Sequence, residues 1–157
     1  MDTSSPIIDT IWFNEGFGRY AAIAAIAAGM SDPDGAAYRE RHLAALRAVL
    51  DGAPRFIQRL PLAVLSREAS FMYSEDFRIG RNVFARGALM AAEMDDRIRA
   101  ESGGARSLRD ALRFLVARTS RSQTAFEADT FPDLVESGTG VKVRDIYERW
   151  ARAPTSS

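Results

Sequence analysis

Glu15 is the residue with the clearest chemical potential in this chain. It stands in Trp12-Phe13-Asn14-Glu15-Gly16-Phe17, with Tyr20 close behind, so a carboxylate is set among four aromatic rings. Burying an unpaired carboxylate in such company is costly, and spacing offers two compensations. Arg19 lies at i+4 in the favourable acid-before-base order, near the positive end of a helix. The other is a metal ion, although one carboxylate does not make a metal site. Few other residues offer chemistry. His42, in Arg39-Glu40-Arg41-His42, is the only histidine and has no second histidine at i+4, so it reads as part of a solvated helix face. Cysteine is absent, which removes thiolate nucleophiles, disulfides and cysteine-bound zinc.

The elements that must position Glu15 are helical. Thr10 to Ala28 reads as a first helix with Gly29 near its C-cap, and its second half, Ala21 to Ala28, carries no polar side chain on any face. Such a helix is expected to be central and surrounded by the rest of the domain. Gly16 and Gly18 weaken it by about 1 kcal/mol each against alanine, which suggests a close backbone or a ligand there. Ser31 to Gly35 forms a turn and N-cap cluster before a helix over Ala36 to Leu50. Pro61 opens a short helix reaching Ser70 or Met72, and Ser74 to Gly80 reads as a loop. A long helix over Arg81 to Ala100 places Val83, Phe84, Leu89, Met90, Met94 and Ile98 inward, with Glu93, Asp95, Arg97 and Arg99 outward. Ser107-Leu108-Arg109-Asp110 has capping-box character and starts a helix with Leu108, Leu112, Leu115 and Val116 inward. A short helix capped near Thr130-Phe131-Pro132-Asp133 and a last one over Val143 to Ala151 follow. No alternating strand pattern and no repeat occurs, so the fold class is all-α. Residues 1–157 are expected to form a single multi-helix domain with polar tails over about 1–7 and 153–157.

The string Trp12-Phe13-Asn14-Glu15-Gly16-Phe17, with Tyr20 after it, resembles the W-x-x-E-G-F segment of the gluzincin zinc metallopeptidases. Further segments are similar to the glycyl aminopeptidase branch: Arg67-Glu68-Ala69-Ser70-Phe71 to its small-residue E-A-S-F-like turn, and Phe84-Ala85-Arg86-Gly87-Ala88-Leu89-Met90 to its aromatic-x-K-G segment. Asp96-Arg97-Ile98-Arg99, Ser107-Leu108-Arg109-Asp110 and Ser137-Gly138 through Trp150 continue the likeness, in order, over about Ile8 to Ala153. The resemblance implies the helical C-terminal half of a thermolysin-like peptidase domain. It implies Glu15 as the third zinc ligand and Asn14, Gly16 and Arg86 as parts of a substrate cleft. Two departures limit what it implies about activity. The H-E-x-x-H helix that supplies two ligands and the base is nowhere in the chain, and Phe84 stands where the resemblance places the transition-state tyrosine. Losing one oxyanion donor costs on the order of 3 kcal/mol of transition-state stabilisation.

Composition narrows the alternatives. With 21 basic and 21 acidic residues no overall field draws nucleic acid or an anionic membrane. The uncharged run within Ile11 to Met30 is too short to span a bilayer, and Met1 to Pro6 lacks the basic and apolar regions of a signal peptide, so a soluble protein is expected. A purely structural helical domain is one reading, and two functions stand beside it. One is the helical half of a zinc aminopeptidase domain, inactive alone, with zinc bound only beside a missing N-terminal segment and a peptide as possible substrate. The other is a non-catalytic peptide- or protein-binding module on a degenerate peptidase scaffold. Self-association through the surface around Trp12, Phe13 and Phe17 is expected of either.

Overall fold

The computed structural model describes residues 10–72, 77–122 and 126–152, and among them there are helices and no strand. A π-helical turn, Trp12–Phe17, runs directly into α1 (Gly18–Ala28). It is followed by α2 (Asp32–Asp51), α3 (Arg55–Gln58), α4 (Leu62–Met72), α5 (Phe77–Glu101) and α6 (Leu108–Ser122). A 3-10 turn at Ala128–Thr130 leads into α7 (Phe131–Thr139), and α8 (Arg144–Ala151) ends the described chain. The all-α expectation holds for these residues. They group into two compact units, Met1–Leu89 with Ala151–Ser157, and Met90–Trp150, so that α5 contributes to both.

The first unit is built on backbone contact. The π turn bonds i to i+5, and that wider turn brings Trp12 round to Phe17, with ring centroids 5.7 Å apart and edge-on. Both rings are buried, and so is Gly16. Gly16 meets α5 at Gly87: a methyl group added to Gly16 would sit 2.5 Å from the Gly87 Cα, and one added to Gly87 would run into the Trp12 carbonyl oxygen. Ser66 Oγ on α4 accepts the Trp12 N–H at 3.4 Å. Helices α1 and α2 form an antiparallel hairpin, because Gly35 packs against the backbone of Ala27 and Arg39 reaches Tyr20. The Arg39 Nε and Nη2 both donate to the buried Tyr20 hydroxyl at 3.3 Å.

Several boundaries differ from the sequence expectation. Helix α2 starts at Asp32 rather than Ala36, since Ser31 takes an extended conformation (ψ 151°) and Pro33 fits the first turn. Gly35 therefore lies inside the helix, where its missing side chain lets α1 approach. Helix α5 begins at Phe77, so Phe77 to Gly80, expected within a loop, are helical, while Ser74 to Asp76 lie outside the described residues. Arg67 to Phe71 lies within α4, as the expected short helix to Ser70 or Met72 requires, and not in the turn that the family resemblance implies. The largest correction concerns α1. Tyr20 and Ile23 are buried, but Ala22, Ala25, Ile26 and Ala28 are exposed, so this apolar helix is not surrounded.

The second unit is joined by polar contacts. Asp95 on α5, expected outward, is buried and accepts the Leu108 N–H at 2.7 Å, capping α6 from outside that helix. The expected capping box forms, with Asp110 accepting the Ser107 N–H at 2.8 Å. Helices α6 and α7 pack closely where Gly138 faces Ala111 and Phe114, and Gly140 ends α7 at φ 79°, a left-handed conformation that favours glycine. Val116, expected inward, is 62% exposed. Glu93 is a junction: it accepts from Arg149 at 2.5 and 3.1 Å and from the Trp150 indole at 2.7 Å. Arg97 pairs with Asp145.

Two predictions follow from this packing. Gly87→Ala is expected to destabilise the protein by about 2 kcal/mol or more despite alanine's helix preference, because the methyl group meets backbone that must move. Gly18→Ala, where nothing lies within 4 Å and the backbone is helical, is expected to stabilise by up to about 1 kcal/mol. Urea midpoints moving in the same direction would refute the crossing as described. Acid is expected to weaken the second unit. Burial disfavours the Glu93 charge, but the bonds from Arg149 and Trp150 and the charges of Arg149 and Arg97 outweigh it and hold the carboxyl below its usual range. Ser107 does the same for Asp110, and Arg97 for Asp145. These depressed values give stability that is fully present above about pH 4.3 and is lost as pH falls through the folded values. A pH series of melting curves is expected to show Glu93→Gln flattening that loss.

Candidate functional site

The sequence nominates one place, the π turn and the part of α5 beneath it, and the structure separates the residues nominated there. The turn places Trp12, Gly16 and Phe17 inward and leaves Asn14 and Glu15 exposed. Glu15 is therefore not embedded among the aromatic rings around it in sequence. Those rings pack with one another instead: Phe13 lies 5.9 Å from Trp12 and 5.2 Å from Phe17 by centroid. The Arg19 pairing does not form among the described residues, since α-helical i,i+4 geometry is interrupted by the π turn that holds Glu15. Of the apolar surface expected around Trp12, Phe13 and Phe17, Trp12 and Phe17 are each 2% exposed and Phe13 is half-buried.

Gly16 is no cleft floor, for the backbone of Gly87 and Ala88 fills the space over it. Arg86, one residue before Gly87, is buried, and its guanidinium faces backbone carbonyls. Its Nη1 donates to the Leu60 carbonyl at 2.7 Å, and its Nη2 donates to those of Gln58 at 2.7 Å and Ile57 at 3.2 Å. A helix of 4 residues, α3, ends with carbonyls that no further turn can satisfy, and the planar guanidinium supplies their donors. Burial pushes the Arg86 pKa down. Phe84 is half-buried on the same helix.

The donors present do not fit a zinc ion. Glu15 is a single exposed carboxylate, and His42 donates through Nδ1 to the Tyr38 carbonyl at 2.8 Å while its ring lies 4.1 Å from that of Tyr38. Among the described residues no three His, Cys, Asp or Glu side chains come close enough together to hold a metal ion. One polar group has no sequence signal at all. Asn82 on α5 is 1% exposed, and among the described residues neither its Oδ1 nor its Nδ2 has a hydrogen-bond partner. Asparagine at a helical position gives no hint of such burial, because its depth depends on what packs over the helix.

The chain matches no protein-family model, no curated protein and no solved structure.

Mutation separates the two charged residues. Arg86→Met is expected to cost about 2 kcal/mol or more, since the Gln58 and Leu60 carbonyls lose the guanidinium donor and that of Ile57 keeps only the Leu60 N–H. Glu15→Gln is expected to change stability by less than about 0.5 kcal/mol, as for other exposed positions without partners. Chemical denaturation of both variants checks this; comparable losses would mean that Glu15 is held in the protein after all.

Proposed function

We propose that the chain is a non-catalytic, protein-binding module on a helical scaffold. The observation that supports this reading is the outer face of α1. A segment with no polar side chain from Ala21 to Ala28 turns Ala22, Ala25, Ile26 and Ala28 to water, and contiguous exposed apolar surface marks interaction sites. The W-F-N-E-G-F segment, by contrast, serves packing, with its aromatic rings and Gly16 turned inward.

A second reading, the helical half of a zinc aminopeptidase domain with Glu15 as third ligand, is favoured by one feature. Glu15 lies on a π turn, a rare conformation that is frequent at functional sites. On that reading an H-E-x-x-H segment would have to be brought against Glu15, and zinc would supply Lewis-acid and water-activating chemistry. Phe84 would still lack the hydroxyl donor.

Two measurements decide between them. Purified protein supplied with zinc is expected to release no N-terminal residue from peptide arylamides, and chelator-sensitive release would favour the peptidase reading. A photo-crosslinking side chain at Ala25 is expected to give a discrete protein adduct, while one at exposed Glu68 gives none. The module reading fails if Ala25 yields no adduct.

A further inference from the structure

The arginines of the second unit fall into two groups. Arg97, Arg99, Arg144 and Arg149 each pair with a carboxylate, of Asp145, Asp95, Asp133 and Glu93 in turn. Arg106, Arg109, Arg113 and Arg121 are exposed, and among the described residues none of them makes an ion pair. Arg109, Arg113, Ala117 and Arg121 follow one another on α6 at a step of four residues, which sets them along one ridge of the helix. Ala117 is exposed as well, and Val116 beside it is 62% exposed. The ridge is about 18 Å long, with guanidinium groups toward both ends and an apolar middle.

The acids near this ridge do not neutralise it. Asp110, the one acid on α6, accepts the Ser107 N–H at 2.8 Å and the Ser107 hydroxyl at 3.2 Å. The Ser107 amide lowers its pKa most, and Arg106 and Arg113 are near enough to add to that, so Asp110 offsets part of their charge. Asp133 pairs with Arg144, and Asp129 accepts from the Tyr147 hydroxyl at 3.3 Å. Among the described residues Glu101, Glu127 and Glu136 pair with none of the four arginines. Such a row works against the helix that carries it. Arg109 and Arg113 are like charges at i,i+4, and Arg106 and Arg109 stand at the end of α6 where the helix dipole is positive. An acid at either place would serve the fold better, and local rules broken without local gain mark functional sites.

We propose that the ridge docks an acidic helical segment of another protein, with carboxylates on Arg109, Arg113 and Arg121 and an aliphatic side chain over Val116 and Ala117. Charge complementarity gives the sign of the partner, since the planar guanidinium matches a carboxylate bidentately. The apolar middle gives its class. Nucleic-acid phosphates gain nothing from Val116, and no exposed position of α6 carries an aromatic ring on which a base could stack. One valine is too little apolar area to hold the helix on a membrane. A partner helix with carboxylates at the same four-residue step matches the spacing of the ridge. This surface belongs to the second unit, and the proposal does not depend on the α1 face.

The test is fluorescence anisotropy of a labelled helical peptide with glutamate at every fourth position and leucine midway, titrated with the full chain. Saturable binding that weakens as salt is added is expected. The same peptide residues reordered so that the glutamates no longer share one face are expected to bind more weakly. Arg113→Glu is expected to lower affinity about tenfold or more and Val116→Ser about fivefold. Arg67→Glu, at an exposed position of α4, is expected to leave it unchanged. Arg109→Glu is expected to weaken binding while raising the melting temperature of the free protein, because it removes the like-charge pair. All these positions are exposed, so unchanged helical circular dichroism separates lost binding from lost fold. The proposal is overturned by absence of saturable binding, by equal binding of the two peptides, or by a Val116→Ser variant that binds as well as the parent. A DNA duplex bound more tightly than the peptide would overturn it in favour of a phosphate contact. A lower melting temperature for Arg109→Glu would also overturn it, since the ridge would then be held within the protein.

Discussion

The first unit depends on one contact, the meeting of the Gly16 and Gly87 backbones. Neither glycine has room for a methyl group, and the obstacle at each is backbone, which cannot rotate away as a side chain can. The π turn follows from the same contact. To bury Trp12, Gly16 and Phe17 together, the chain must turn more widely than an α-helix does, and an i→i+5 turn does this over the residues where the contact lies. The aromatic crowding around Glu15 is then the filling beside a backbone crossing, and the acid itself is left in water.

Buried charge on α5 serves helix ends in both units. Arg86 supplies donors to the carbonyls at the end of α3, and Asp95 supplies an acceptor to the first amide of α6. Each solves the same problem, since a helix terminus carries backbone groups without partners and burying them unpaired is costly. Arg99 gives Asp95 a charged neighbour at 2.9 Å, whereas among the described residues Arg86 is held by neutral carbonyl dipoles. Burial accordingly works against the Arg86 charge more than its surroundings offset. Asn82, one turn before Arg86, lacks even that compensation and is the weakest point of the described polar interior.

Local rules were legible in the sequence where they act locally. The Ser107 to Asp110 capping box, the proline at the start of α4 and the apolar face of α5 could all be read from spacing, because each depends on residues within one or two turns. The starts of α2 and α5 could not. Gly35 looks like a turn residue until α1 is seen pressed against it, and Gly80 reads as a helix breaker although it lies inside α5. The arrangement of the candidate site was not legible for a related reason. Glu15, Asn14, Gly16 and Arg86 are close in type and order to a chemical motif, but order does not say which side chains face one another. A widened turn separates Glu15 from Gly16, and the carbonyls of α3 draw Arg86 to themselves.

Helix α1 shows why mean apolarity is a poor guide to depth. Hydrophobic stabilisation scales with the area removed from water, at about 0.8 kcal/mol for each methylene buried. An alanine has one methyl group to bury, so a helix made largely of alanine looks fully apolar in sequence yet loses little by standing at a surface. The two larger side chains that face inward, Tyr20 and Ile23, supply most of what fixes α1 to its unit, and Arg39 holds the Tyr20 hydroxyl in place. Ile26 is the informative exception, since a large side chain half in water gains more from being covered than any alanine beside it. It lies at the centre of the exposed face, where the neighbouring small residues leave room for another backbone to approach. Small side chains on its outer side thus let α1 sit at the surface, and Ile26 is the residue of that helix that gives up most by doing so.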